Sequence, residues 1–354
     1  MHFRKYISDQ CLLMREDDAG TVIICLYIDD TLIVGDESAI RKFKDEIEIY
    51  FTTKQEGEMT EYVGCKVKRS KNTILFHQTE LVEKLRRNFH EKIKNLRNDK
   101  IPATPGQGIV RPANDEEKIN KSEQIDFSSG VGMLLLLVKY SRPDIANAVR
   151  ELSKVNDGAT EAHVNELYRL IKFVVDTKDW NLKYMIGDEV RSKKKWEMRA
   201  FCDSDFAGDR DTRLSVAGYG VYLYGCLVAW KLRALRTHAL SSTEAEYLSM
   251  SEVCCEVLFI KQILEFLGRN VEYPVIIHCD NVGAIYLAHN AKNSRRTKHI
   301  DLKAHFIREY VENGTVKIIF VRSEDNDADI WTKNASEKIY IRHVDKFMQM
   351  NPTK

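Results

Sequence analysis

Apolar positions along the chain follow two rhythms, one of period two and one near 3.6, and these place its elements. Thr21 to Tyr27 (TVIICLY) is rich in β-branched residues, Asp29-Asp30 interrupts the run, and Thr31 to Val34 resumes it, which predicts a hairpin. Ile40, Phe43, Ile47 and Tyr50 then recur at helical spacing. A second hairpin is predicted across 61–68 and 73–77, turning at Lys71-Asn72, and a basic helix over 79–96. Pro102, Pro105, Pro112, Gly106 and Gly108 follow, then an acidic stretch to about Glu123, which together read as a linker. Beyond it, Pro143 opens one helix from a first-turn position. A second helix carries Val164, Leu167, Ile171 and Val174 on one face.

The last third is a cleaner pattern. Strands are predicted over 197–203, 217–224 and 227–231, then a long helix over 242–267 with Tyr247, Met250, Cys254, Val257, Ile260, Leu264 and Leu267 as its buried stripe. A short apolar strand over 274–279, a helix over 299–313, a strand over 315–321 and a helix from about Asp325 complete the unit. This order implies an α/β class, with a mixed sheet flanked by helices.

Composition narrows the picture only a little. The 354 residues allow two or three domains at roughly 100–200 residues each. Lys+Arg number 54 and Asp+Glu 53, a net charge of +1 that excludes a strongly basic coat or an acidic tail but not a local basic groove. The apolar run Val131–Val138 is far short of the roughly 20 residues of a membrane span, and Met1–Ile7 carries no apolar signal-peptide region. The expectation is an intracellular protein, cytoplasmic or nuclear, with no membrane partner. The eight cysteines form no CxxC pair and no zinc spacing, so buried free thiols are expected.

Four acids sit where the predicted topology would bring them together. Asp203 ends the first strand of the last third, Glu246 lies in the first turns of the long helix, Asp280 ends the apolar strand, and Asp329 lies near the start of the last helix. Thr243 and Glu246 also fit a capping box, a purely structural role for that glutamate. Like charges about 4 Å apart repel by roughly 4 kcal/mol at an effective dielectric of about 20. Such a cluster calls for hard cations, two Mg²⁺ or Mn²⁺ ions, and two of these can drive phosphodiester hydrolysis. The alternative is that strand-end aspartates simply cap and turn.

The segments FCDSDFAGD (201–209), SSTEAEY (241–247), CDNVGAI (279–285), RTKHID (296–301) and DADIWTK (327–333) together resemble the RNase H domain of copia-type LTR retrotransposon Pol polyproteins. The resemblance implies that Asp203, Glu246, Asp280 and Asp329 are catalytic and hold the metals. It also implies an RNA/DNA hybrid as substrate. On this reading Asp205, Asp209, Glu244 and Asp301 are surface charge or local hydrogen-bonding groups. Upstream, CLYIDDTLIVG (25–35) looks like the palm motif of the same family's reverse transcriptase, with Asp29 and Asp30 as its hairpin pair. EYVGCKVKRS (61–70) and YSRPDIANAV (140–149) resemble thumb and connection regions. The family's third palm aspartate belongs to a strand well upstream of this motif, and only 26 residues precede Tyr27. The polymerase pair is therefore expected to be vestigial, unless the missing N-terminal part of Pol joins in trans.

The expected division is 1–100 partial palm and thumb, 101–125 linker, 126–192 connection-like helices, 193–335 RNase H-like domain and 336–354 C-terminal tail. Lys231, Arg233, Arg236, Arg295, Arg296 and Lys298 are the cations expected to track the hybrid's phosphates. RLSVAGY (213–219) and WKLRALR (230–236) depart from the family's pattern, which bears on hybrid affinity more than on metal binding. His299 reads as a structural helix-start residue, with a catalytic role as the alternative. The rival to a nuclease is an inert or repurposed remnant that binds nucleic acid through its basic surfaces.

Overall fold

A computed structural model describes residues 2–28, 30–54, 56–185, 187, 195–290 and 301–350, the side chains of 116 and 301–305 excepted. At the N-terminus, strands β1 (Arg4–Lys5), β2 (Leu12–Asp17), β3 (Gly20–Tyr27) and β4 (Asp30–Gly35) form an antiparallel sheet in that order. Helix α1 (Glu37–Glu48) lays Ala39 and Phe43 on Val22 and Ile24. The β2–β3 turn needs Gly20, whose φ is +112° and whose missing Cβ leaves room for the Asp36 carboxylate that accepts from the Thr21 amide at 2.7 Å.

A second sheet holds β5 (Glu61–Tyr62), β6 (Cys65–Arg69), β7 (Thr73–His77) and β8 (Asn181–Met185), all antiparallel. Helices α2 (Thr79–Ile93), α3 (Lys121–Tyr140), α4 (Ala146–Ser153) and α5 (Glu161–Asp176) pack beside it. Helix α2 buries Val82, Leu85, Phe89 and Ile93, and its basic residues face outward, two of them in the pairs Arg86–Glu83 and Lys94–Glu91. Helix α3 begins inside the stretch expected to be a linker. Asn120 caps it by accepting from the Glu123 amide at 3.0 Å, and its Phe127, Val131, Leu134 and Leu137 are buried.

The central sheet runs β12 (Cys226–Ala234), β11 (Val216–Leu223), β10 (Met198–Asp205), β14 (Val275–Cys279), β15 (Val316–Phe320). Its first three strands are antiparallel neighbours, and β10, β14 and β15 pair in parallel, so the sheet is mixed as expected. Two short strands, β9 (Lys195–Trp196) and β13 (Asn270–Val271), pair beside it. One face packs on α6 (Ser242–Phe266), α7 (Val282–His289) and α8 (Asp301–Glu312). The other face presents Phe201, Tyr222 and Leu227 to the helical core of α2–α5. Residues 336–350, expected as part of a tail, fold into α10 (Glu337–Val344) and β16 (Met348–Gln349). Val344, Phe347 and Met348 are fully buried, and β16 pairs with β8. The helices over 121–176 and the mixed-sheet unit thus share one core.

The short helix α9 (Asp329–Thr332) is seated by Trp331. That indole is fully buried, stacks 6.0 Å from Phe347 and donates its Nε1–H to the Pro143 carbonyl at 3.0 Å. Gly218 and Gly220 on β11 make the seat, since a Cβ at 220 would lie 2.4 Å from Trp331 Cη2 and one at 218 would lie 2.8 Å from Thr332 Cγ2. The N-terminal sheet docks elsewhere, through Tyr6, whose ring lies 5.4 Å from Phe266 and 6.4 Å from Phe259 on α6. No helix among the described residues is long and apolar enough to cross a membrane.

Trp331→Ala should therefore lower unfolding stability by about 3–5 kcal/mol, as for other large-to-small core changes. Urea unfolding followed by far-UV circular dichroism measures this, and a midpoint equal to that of the unaltered chain would show that the indole seat is dispensable.

Candidate active site

Strands β10 and β14 are parallel neighbours, so their carboxyl ends open on one side of the sheet, where α/β folds place their ligands. Asp203 lies near the end of β10 and Asp280 directly follows β14. Asn281 caps α7 by accepting from the Ala284 amide at 2.9 Å, which fixes the turn that carries Asp280. Glu246 comes from the first turns of α6 and accepts from the Ser204 amide at 3.1 Å. The capping role considered for it falls to other residues. Ser241 is the N-cap, accepting from the Glu244 amide at 3.2 Å, and Glu244 accepts from the Leu240 amide at 2.8 Å.

The second acid of DADIWTK, not the first, reaches the cluster. Asp327 is buried against His343 Nδ1 at 2.7 Å and Lys346, and these partners outweigh burial and hold its carboxyl below the usual range. Asp329 turns instead toward Lys333, whose Nζ donates to its Oδ1 at 2.6 Å and lies 3.5 Å from Asp203 Oδ2. Thr332 Oγ1 donates to the same Asp203 oxygen.

Asp329 and Asp280 act on Asp203, and Asp203 and Asp280 act on Glu246. Burial, with the charges of Asp329 and Asp280, raises the Asp203 carboxyl to about 6 against the pull of Lys333 and Thr332. Burial, then Asp203, Cys279 and Asp280, raises Glu246 to about 10. Burial opposes the charge of Lys333, but Asp203, Asp329 and Asp280 prevail and hold its pKa above the usual lysine range. The tightest group of possible metal ligands is Glu246, Cys279 and Asp280, with donor atoms within 4.8 Å of one another. Cys279 was not among the expected site residues. Its signal was in the alternation of PVIIHC, which puts 275, 277 and 279 on one face.

The donor set suits a hard divalent ion. Its acids offer carboxylate oxygens, while the Cys279 thiol is a soft donor, and burial raises the Glu246 carboxyl to about 10 so that added positive charge would favour its ionised form. Lys333 already supplies one such charge between Asp203 and Asp329.

The other expected residues fare differently. Arg233 is not available for phosphates, because its guanidinium is held by Glu252, with Nε 2.9 Å from Oε2. Lys231 and Arg236 are exposed, and Lys231 lines a groove of about 350 Å³ with Trp230 and Lys139. Arg295, Arg296, Lys298, His299 and Asp29 lie outside the described residues. Asp30 is exposed where β4 begins. Asp205 is half-buried beside the cluster, and Asp209 is buried rather than a surface charge.

Residues 1–104 match the family described as reverse transcriptase (RNA-dependent DNA polymerase). The chain is 31% identical over 341 residues to the retrovirus-related Pol polyprotein from transposon TNT 1-94 of Nicotiana tabacum, covering 94% of this chain and 25% of that protein. To the Pol polyproteins from transposons RE1 and RE2 of Arabidopsis thaliana it is 29% identical over 351 residues and 30% over 341. These cover 97% and 94% of this chain, and 23% and 22% of theirs. The chain thus spans about a quarter of the length of these relatives.

The raised Asp203 carboxyl has a consequence for stability. Without divalent ions, the unfolded chain loses this proton near 3.8 and the folded chain only near about 6. The fold therefore binds more protons in that window, and stability falls as pH rises through it. Asp203→Asn should remove this decline, by up to about 1.4 kcal/mol per pH unit. Denaturant unfolding in chelator between these pH values checks it. A slope identical in the two proteins would mean that folding does not raise the Asp203 pKa.

Proposed function

The chain belongs to the copia-type retrotransposon Pol family, and from that premise we propose that its C-terminal unit is a ribonuclease H that hydrolyses the RNA of RNA/DNA hybrids with two Mg²⁺ or Mn²⁺ ions. The observation that carries the proposal is the convergence of Asp203, Glu246, Asp280 and Asp329 at the carboxyl ends of two parallel strands. Asp203 and Asp280 are the central ligands, with Glu246 completing one position and Asp329 the other. When bound, the ions supply the positive charge that in-line attack on a phosphodiester requires.

The chain's own residues prepare that centre. The Ser204 amide orients Glu246, the Thr332 hydroxyl and Lys333 orient Asp203, and the Ser323 hydroxyl donates to Asp280 at 2.5 Å. Glu246, whose carboxyl burial holds up to about 10, and Lys333, 3.5 Å from Asp203, are the groups whose charge would have to adjust if the four acids held ions. The N-terminal lobe is a reverse-transcriptase-derived element; of its expected aspartate pair, Asp30 is exposed where β4 begins and Asp29 lies outside the described residues.

One observation favours a second reading, an inert nucleic-acid-binding remnant. Lys333 pairs with both Asp203 and Asp329, so one charge of the cluster is balanced without any ion. A labelled RNA/DNA hybrid incubated with the chain in Mg²⁺ or Mn²⁺ separates the two. The nuclease cuts the RNA strand, and Asp280→Asn slows it by at least about 100-fold, since metal stabilisation is worth several kcal/mol. Hybrid binding with no metal-dependent cleavage above that of Asp280→Asn would establish the inert reading.

A further inference from the structure

The Pro- and Gly-rich segment after Ile101 is fastened down as a strap across the nuclease-like unit. The Gly106 amide donates to the Asn334 carbonyl at 3.0 Å, and Asn334 Nδ2 donates to the Gln107 carbonyl at 2.6 Å. The Ile109 amide donates to Glu151 Oε2 at 2.6 Å, and the Arg111 amide to the Asp211 carboxylate at 3.1 and 3.2 Å. Between the strap, α4 and the β10–β11 loop lies a cavity of about 470 Å³. Asp329, Thr332 and Lys333 form part of its wall, so it opens directly beside the acid cluster.

Four cations line this cavity, and two of them lack a carboxylate partner. Arg150 is answered by Glu151, and Lys333 by Asp329. Arg210 makes one hydrogen bond, to the Gly106 carbonyl at 3.3 Å, and no ion pair among the described residues. The Arg213 side chain has neither among the described residues, and both side chains are exposed. Their loop is nevertheless held firmly. Asp209 accepts from the Asp211 and Thr212 amides at 3.1 and 2.8 Å and pairs with Lys154 at 3.1 Å. Burial would raise the Asp209 carboxyl, but the Thr212 amide and Lys154 outweigh it and hold it at about 2. Ala207 and Arg213 both sit in the left-handed region, at φ +52° and +57°, a strained setting that non-glycine residues keep where surrounding structure imposes it.

Two unneutralised guanidinium groups, fixed by a rigid loop over an open cavity, match the chemistry of a phosphodiester, which guanidinium binds in a forked geometry. We propose that this cavity seats a backbone phosphate of the nucleic-acid strand that passes the acid cluster, with Arg210 and Arg213 as the binding residues and the strap at 106–108 as its outer wall. The strap thereby makes the segment between the polymerase-derived lobe and the nuclease-like unit a part of the substrate site. The identity of the strand rests on the nuclease reading given above, and the site itself on the cavity and its charges.

The test is fluorescence anisotropy of a labelled RNA/DNA hybrid with the full chain carrying Asp280→Asn, so that binding is read without cleavage. Adding Arg210→Ala and Arg213→Ala should weaken binding at least about 10-fold. It should also make the slope of log K against log salt shallower by about one, the value of one phosphate contact. A charge-matched control, Arg269→Ala with Lys317→Ala, removes two exposed cations outside the cavity and should leave the slope in place. If the arginine pair and the control behave alike, the cavity is not a phosphate seat. If the unaltered chain fails to cut the hybrid, the nuclease reading fails alone, because the anisotropy comparison still decides the cavity.

Discussion

The seat of Trp331 on strand β11 is the contact on which the site depends. Two glycines at alternate positions remove the side chains that would hold α9 away, and the indole drops in against β11 and Phe347. Asp329 and Lys333 are one turn of chain from that anchor, so the depth of the indole sets where their charges lie relative to Asp203. Burial of one large apolar ring thus stabilises an arrangement that electrostatics alone would oppose. Burial and neighbouring carboxylates raise the pKa of Asp203 and Glu246, and a ring lodged in a close-packed interior does not move away to relieve them.

Much of this was legible from the sequence because it rests on short-range patterns. The stripe on α6, the apolar runs of β10, β11 and β14, and the strand-end position of two acids, Asp203 and Asp280, follow from local sequence pattern, and the structure places these elements within a few residues of the expected bounds. What was not legible depends on partners far along the chain. Nothing local in 101–112 says that its amides will find Glu151 and Asp211. The strand over 181–185 and the helix and strand after 336 gain their apolar burial from one another and from the core of α2–α5, and read as connector and tail in isolation. The choice of Ser241 over Thr243 as cap, and the loss of Arg233 to Glu252, are likewise decided by geometry rather than residue type.

The near-neutral total charge is an average over opposed regions. Acidic groups are concentrated in a partly buried cleft, where burial and neighbouring charge raise the pKa of Asp203 and Glu246, and two arginines with no carboxylate partner among the described residues line the adjoining cavity. An anionic polymer lying across it would meet cations on its way to a centre that needs cations of its own. Electrostatic approach and electrostatic chemistry are thus assigned to adjacent but separate groups.

The pairing of β16 with β8 bears on how the chain is made. Residues 348 and 349 complete a sheet whose other strands come from 61–77 and 181–185, and Val344 and Phe347 fill the core laid down by α3 and α5. During synthesis the earlier strands and helices emerge with one edge unpaired and a cavity unfilled. They must stay in that state until residues 344–349 have left the ribosome. Contacts of such long sequence separation slow folding and expose apolar surface in the interval. A stop codon after the last acidic motif would spare every catalytic candidate and still leave the nascent chain unable to close its core, dependent on chaperones or lost to aggregation.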